Sequence, residues 1–194
     1  MYKRQVYDGR DSSVDPTEGW YASANIEPFF DLLGGTPGGR LVVEGRTYFG
    51  FGENDPFVLA GRLKAGAVVG PALVDIPPDK LFFAGGGGSV RGYGFKSIGV
   101  DDGMGNITGG RYLLEGSLEA RAKVTDDIGV VGFVDGGYVA ADIFPGLDDL
   151  RIGAGLGVRY YTGLGPLRLD VAVPLNRKAG DPDYAIYAGI GQAF

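Results

Sequence analysis

Leu167-Arg168-Leu169-Asp170-Val171-Ala172-Val173 places two leucines and two valines on one side of an extended chain, and Arg, Asp and Ala on the other. Successive side chains of a strand point to opposite faces, so this stretch is a strand lying between two unlike environments. The same period of two runs from Leu114 to Val124, where Glu115, Glu119, Arg121 and Lys123 share one face. It recurs from Leu41 to Phe49, and from Leu59 to Val69 with Arg62 and Lys64 on the polar side. An arginine facing lipid near the bilayer midplane costs roughly 2–4 kcal/mol, so in a membrane barrel Arg168 and Asp170 must line the interior. A soluble β-sandwich would instead turn the same charges to water. Periodicity alone does not say which face is wet.

Working outward, the pattern predicts an all-β, antiparallel chain of eight strands at 19–31, 40–51, 57–70, 111–125, 128–141, 150–162, 166–175 and 184–194, with a stub of a ninth at 5–11. Segments of about 10 residues suit a tilted strand crossing a hydrocarbon layer. Sandwich strands are shorter, at about five or six. Short turns are expected near Asp15-Pro16-Thr17-Glu18-Gly19, Gly52-Glu53-Asn54-Asp55-Pro56, Thr125-Asp126-Asp127 and Thr162-Gly163-Leu164-Gly165. They alternate with mostly longer connections, the longest at about 71–110. Short turns on one rim and long loops on the other are the habit of an outer-membrane barrel.

Composition narrows the chemistry. The chain has no cysteine and no histidine, which excludes thiol catalysis, a Ser-His-Asp triad and a structural zinc centre. A net charge of −6 gives no reason to expect nucleic acid. Glycine reaches 37 residues without a Gly-X-Y repeat, so the chain is not collagen-like. Gly85-Gly86-Gly87-Gly88-Ser89 lacks the Gly-Lys-Ser/Thr and the helix of a phosphate loop. Gly153-Ala154-Gly155-Leu156-Gly157 alternates at strand period, and Asp101-Asp102-Gly103 has too few ligands for a calcium loop. No cofactor, metal, small-molecule substrate or enzymatic step is expected.

Within the glycine-rich connection, Val90-Arg91-Gly92-Tyr93-Gly94-Phe95 presents an arginine on a glycine hinge between hairpins. Glu119 lies on the polar face of its strand, and Asp135 is the only charge in an otherwise apolar and glycine-rich one. In the last segment, Gly189 and Gly191 interrupt a strand that runs to the terminal Phe194. Such glycines remove side-chain packing and add backbone freedom.

Taken in order, these markers resemble the C-terminal half of the barrel of outer-membrane assembly factors of the BamA and TamA type, the bacterial surface antigen family. Tyr7-Asp8-Gly9-Arg10-Asp11 with Asp15 to Gly19 is similar to the family's strand-turn-strand signature. Phe83-Ala84-Gly85-Gly86 followed by Val90-Arg91-Gly92-Tyr93 resembles its long sixth extracellular loop. Ser117-Leu118-Glu119, Phe133-Val134-Asp135-Gly136, Gly163-Leu164-Gly165-Pro166 and Phe194 complete the set. Phe82 to Gly86 and Leu169 to Pro174 bring the likeness nearer to TamA than to BamA.

The resemblance implies a bacterial outer-membrane location and half of a sixteen-stranded wall, with periplasmic POTRA repeats and the first half of the barrel upstream. It implies that the sixth loop folds into the lumen, where Arg91 pairs with Glu119 and Asp135. The segment ending in Gly189, Gly191 and Phe194 then serves as a C-terminal signal beside a seam that opens for client strands. Implied partners are membrane lipids, client outer-membrane proteins and a periplasmic subunit. Left alone, the strands would form a curved sheet with free edges, close into a small barrel or pair with a second copy. Met1-Tyr2-Lys3-Arg4-Gln5 resembles read-through of a sequencing adapter, so 1–5 are expected to be non-native and 6–194 to be the barrel domain. Two alternatives stay open: a passive channel or two-partner-type secretion pore of the same superfamily, and a soluble β-sandwich binding module.

Overall fold

The structure is a computed structural model, and it describes residues 2–30, 35–53, 56–142 and 149–194. Met1, Asp31 at the end of the first predicted full strand, and Asn54 and Asp55 in a predicted turn lie outside these. Among the described residues eleven strands follow in chain order: β1 Lys3–Asp8, β2 Gly19–Phe30, β3 Pro37–Phe51, β4 Phe57–Val69, β5 Val100–Asp101, β6 Ile107–Thr108, β7 Tyr112–Lys123, β8 Ile128–Ala140, β9 Arg151–Thr162, β10 Gly165–Pro174 and β11 Ala185–Ile190. Nine of them form one antiparallel sheet in the order β1-β2-β3-β4-β7-β8-β9-β10-β11, so every strand pairs with its sequence neighbour in the wall. β5 and β6 make a separate two-stranded hairpin inside the long connection from β4 to β7. That connection also holds a short 3-10 turn at Leu73–Asp75. β1 and β11 are each bonded on one side only, so this is a curved sheet with two free edges.

The decisive observation is the direction of the faces. Leu169 and Val171 are 52% and 45% exposed, whereas Asp170 between them is fully buried. On β7, Leu118 is exposed while Glu115, Ser117, Glu119 and Arg121 are buried. A soluble sheet buries leucine and wets glutamate; here the arrangement is inverted, as a wall with lipid outside requires. Trp20, Phe49, Leu59, Leu63, Val134, Leu156 and Ile186 continue the apolar outer surface around the sheet.

The inner face is filled in three layers, the first two by the connection from β4 to β7 and the third by the C-terminal tail. Towards the long-loop rim, Ile76, Phe82, Ala84, Val90, Tyr93 and Ile98 of the connection pack on Val68, Leu113 and Val139 of the wall. The middle layer is charged. At the short-turn rim, Tyr48, Val58 and Ala60 enclose Phe194.

The last strand differs from the expectation. A strand over 184–194 is predicted, but β11 ends at Ile190 and Gly191 turns with φ +83°. An L side chain rarely adopts that conformation, which is why glycine ends the strand there. Gln192 N–H then donates to Val14 O at 2.9 Å, and Phe194 is buried inside rather than paired in the sheet. Gly189, Gly191 and Phe194 therefore belong to three environments: strand, turn and interior.

Candidate functional site

β7, β8, β9 and β10 run side by side, and their pleat turns every second residue inward. Ser117 is paired with Asp135, Asp135 with Gly153, and Asp170 with Gly157. The registry thus brings Glu119, Asp135 and Asp170 onto one patch of the inner face. The connection lowers Arg91 into it. Arg91 Nε and Nη2 donate to the two carboxylate oxygens of Asp135 at 2.7 and 2.9 Å, and its backbone N–H donates to Asp135 Oδ2 at 3.0 Å. Nη1 reaches Glu119 Oε1 at 2.7 Å and Asp170 Oδ2 at 3.3 Å. The guanidinium carbon stands 3.4 Å over the Phe133 ring, a cation–π contact that leaves the donor edges free. Arg91 is 2% exposed and Asp135 fully buried, so little water screens these charges.

Two of the three carboxylates are shared. Glu119 also pairs with Arg121, at 2.9 Å, and Asp170 with Arg159. Arg121 reaches the carbonyl of Pro16, and Arg159 Nε the side chain of Gln192 at 2.8 Å. The cage is therefore tied to the β1–β2 turn and to the C-terminal tail. Asp135 has Arg91 as its only ion-pair partner among the described residues. A second anchor lies nearer the long-loop rim. Ser89 Oγ donates to Glu115, and Glu115 also pairs with Arg62 at 3.1 Å.

Glycines on β9 make the approach possible. A Cβ on Gly153 would lie 1.9 Å from Arg91 O, and one on Gly157 would lie 2.0 Å from Asp170 Oδ1. Gly92 turns with φ +99°, against the Val173 backbone. Its N–H donates to Tyr187 Oη at 3.0 Å, and the same hydroxyl donates to Tyr93 O. The Tyr93 hydroxyl donates to Asn176 Oδ1 at 2.6 Å.

Of the residues singled out from sequence, Val90, Arg91, Gly92 and Tyr93 come together with Glu119 and Asp135. Gly94 lies beyond them, receiving hydrogen bonds from Ser97, and Phe95 is 82% exposed. That motif is split: its first four residues point in and its last points out. Sequence reasoning missed Asp170, Arg159, Arg121, Ser89 with Glu115, and Tyr187. A signal existed for the wall residues, since Glu115 shares a face with Glu119 and Asp170 shares one with Arg168.

Comparison with known proteins adds the family. The model of the Omp85 superfamily domain matches residues 4–194. "Outer membrane protein assembly factor BamA" of Nitratidesulfovibrio vulgaris is 32% identical over 184 residues, covering 89% of this chain and 22% of that protein. The crystal structure of BamA from Haemophilus ducreyi lacking POTRA domains 1-3 superposes with a TM-score of 0.77 at 20% identity. It covers 95% of this chain and 41% of that one. The chain thus spans about a fifth of the length of its curated relative. Its inverted sheet, its filled inner face and this match have one reading: the chain belongs to the Omp85 superfamily, as part of an antiparallel transmembrane β-barrel of the outer membrane.

Proposed function

We propose that the chain is the C-terminal portion of the barrel of a factor that inserts other outer-membrane proteins or exports them, and that Arg91 locks the β4–β7 connection inside that barrel. No bond is made or broken in this work; a fixed plug and a sheet edge perform it. One observation carries the reading: the inner face is filled, with Arg91 held by Asp135, Glu119 and Asp170 at the depth of the wall. A passive channel needs an open lumen, which this arrangement opposes.

The client side of the reading rests on the family likeness, in which the seam beside β11 is the place where a client strand is added. Unpaired backbone groups on a strand edge recruit another strand with little regard for its sequence. Client outer-membrane proteins are the partners this predicts, with lipids against the outer leucines and valines, and a periplasmic subunit beyond the short-turn rim. The nearer likeness to TamA, resting on Phe82 to Gly86 and Leu169 to Pro174, belongs to the same proposal.

Complementation tests it. A strain relying on the full-length gene with Arg91→Ala is expected to lose several-fold of its folded outer-membrane proteins while the variant itself remains in the membrane. Unchanged outer-membrane proteins together with loss of one secreted protein would favour the secretion pore. Unchanged levels of both would end the proposal.

A further inference from the structure

Arg91, Arg121 and Arg159 meet Glu119, Asp135 and Asp170 in the cage, and that set is neutral. A fourth arginine turns inward beside it. Arg168 sits on β10, level with Arg159 on β9, and makes no ion pair among the described residues. Its Nε and Nη1 are buried with no hydrogen-bond partner among those residues. Arg168 as a whole is half-buried, and a partly desolvated guanidinium without a counter-charge is costly enough that the position calls for an anion.

Gly189 shows where the anion would come from. It is the pairing partner of Arg168 on β11, and a Cβ there would lie 3.1 Å from Arg168 Nε and 3.7 Å from Nη2. The guanidinium therefore lies across the last strand, over the one residue that has no side chain to obstruct it. Beyond β11 the sheet is open. Alternation nevertheless continues along β11, with Ile186 and Ile190 outward and Tyr187 and Gly189 inward, so the strand is built to have a neighbour.

We infer that Arg168 receives a carboxylate carried by the strand that adds to the free edge of β11, and that this strand is the first of the same barrel. The inference rests on reading the chain as part of a longer wall, and a barrel closes only by joining its last strand to its first. Neighbouring strands lie about 4.8 Å apart, and directly opposed Cβ atoms about 4.5–5.5 Å. An inward Asp or Glu level with Gly189, or two residues along, can therefore reach the Arg168 guanidinium across Gly189, first at Nη2, the nitrogen that is not enclosed. The pair fixes registry as well as affinity: a slip of one residue would turn the carboxylate to lipid. Gly189 is then required for the reach of the arginine rather than as a weak point in the strand.

Disulfide mapping in the full-length protein, in its own outer membrane, tests this. Ile186→Cys is paired with single cysteines placed along the first barrel strand, and the crosslinks give the registry. The expected result is an inward acidic residue within two positions of the level of Gly189. Arg168→Glu should lower the crosslink yield by roughly tenfold, and reversing the partner acid to Arg in the same protein should restore it. Arg168→Gln, which keeps the side chain's bulk, should lower it as well. A crosslinked strand without such an acid, a wild-type yield for Arg168→Gln, or crosslinks only to a second copy would each overturn the inference. Failure of the barrel reading would look different: β11 would crosslink to no strand of its own chain, and the protein would leave the membrane without detergent.

Discussion

Replacing Arg91 with alanine should cost more than any other single change in the cage, and the geometry says why. Glu119 and Asp170 would retain Arg121 and Arg159, but Asp135 would lose its only cation among the described residues while fully buried. Stranding a buried charge in this way costs about 3–5 kcal/mol. Asp135→Asn removes the negative charge instead, and Arg91 keeps Glu119 and Asp170, so this change should cost about 1–3 kcal/mol. Once Asp135 is neutral, Arg91→Ala no longer leaves an orphan carboxylate, so the double variant should fall short of the sum by about 1–3 kcal/mol. The same cycle run with Glu119→Gln should give a smaller coupling, because Arg121 shares that carboxylate. Urea unfolding of barrels refolded into lipid vesicles, followed by the shift between heated and unheated bands on a gel, measures each loss. Additive losses for Arg91 and Asp135 would refute the reasoning, as would a coupling larger with Glu119 than with Asp135.

Leu169→Arg puts a charge on the outer face at mid-strand, and should destabilise the protein by about 2–4 kcal/mol in a bilayer; in phosphatidylcholine vesicles the unfolding midpoint should drop, and an unchanged midpoint would mean that face is not oily. Gly153→Ala aims a methyl 1.9 Å from Arg91 O and should cost about 1–3 kcal/mol by overpacking, with the loop shifting in protease protection while the wall stays folded. The β1–β2 turn should loosen in acid. Burial pushes the Asp11 carboxyl up, but the Glu18 N–H, the Thr17 hydroxyl and the Thr17 N–H outweigh it and hold it below its ordinary value. A depressed folded pKa contributes stability that is present above the unfolded value of about 3.9 and is lost as pH falls through the folded value. Amide exchange at Thr17 and Glu18 should therefore accelerate in that acid window, and Asp11→Asn should remove the dependence.

How much of this was legible in the sequence depended on whether a residue's role follows from its own strand. The period of two in Leu167 to Val173 and Leu114 to Val124 gave both faces of β10 and β7, because alternation is a local property. The strand limits fell within a few residues for β7, β8, β9 and β10. Asp170 was placed on the inner face but not assigned to Arg91, since that meeting depends on the β8–β9–β10 registry, which no single strand encodes. From sequence Phe194 reads as the end of a strand, because Gly189 and Gly191 alone interrupt the segment before it. A positive φ is permitted by glycine but not announced by it. The glycines of β9 were recognised as a strand pattern, yet their purpose, admitting Arg91 O and Asp170, became visible only with the loop in place.

A plug held by charges needs a physical reason, since well-packed apolar residues often match or exceed a buried ion pair in stability. The reason lies in the backbone of the β4–β7 connection. Apart from one 3-10 turn, a two-stranded hairpin and the bridges Phe82–Gly110 and Ala84–Ile98 it is irregular, so its own backbone pairs only part of its peptide groups. Buried peptide groups must find partners, and here the wall supplies them through side chains. Asp135 takes the N–H of Arg91, Tyr187 that of Gly92, and Arg40 reaches Lys80 O at 3.0 Å. An apolar wall would leave those groups stranded at a cost of about 1–3 kcal/mol each. The bidentate fork of Arg91 on Asp135 adds direction, accepting one orientation where apolar contacts accept many. Polarity inside this sheet is thus the counterpart of irregularity in the chain that fills it, and a substitution that makes the wall more hydrophobic at Asp135 or Tyr187 should loosen the plug.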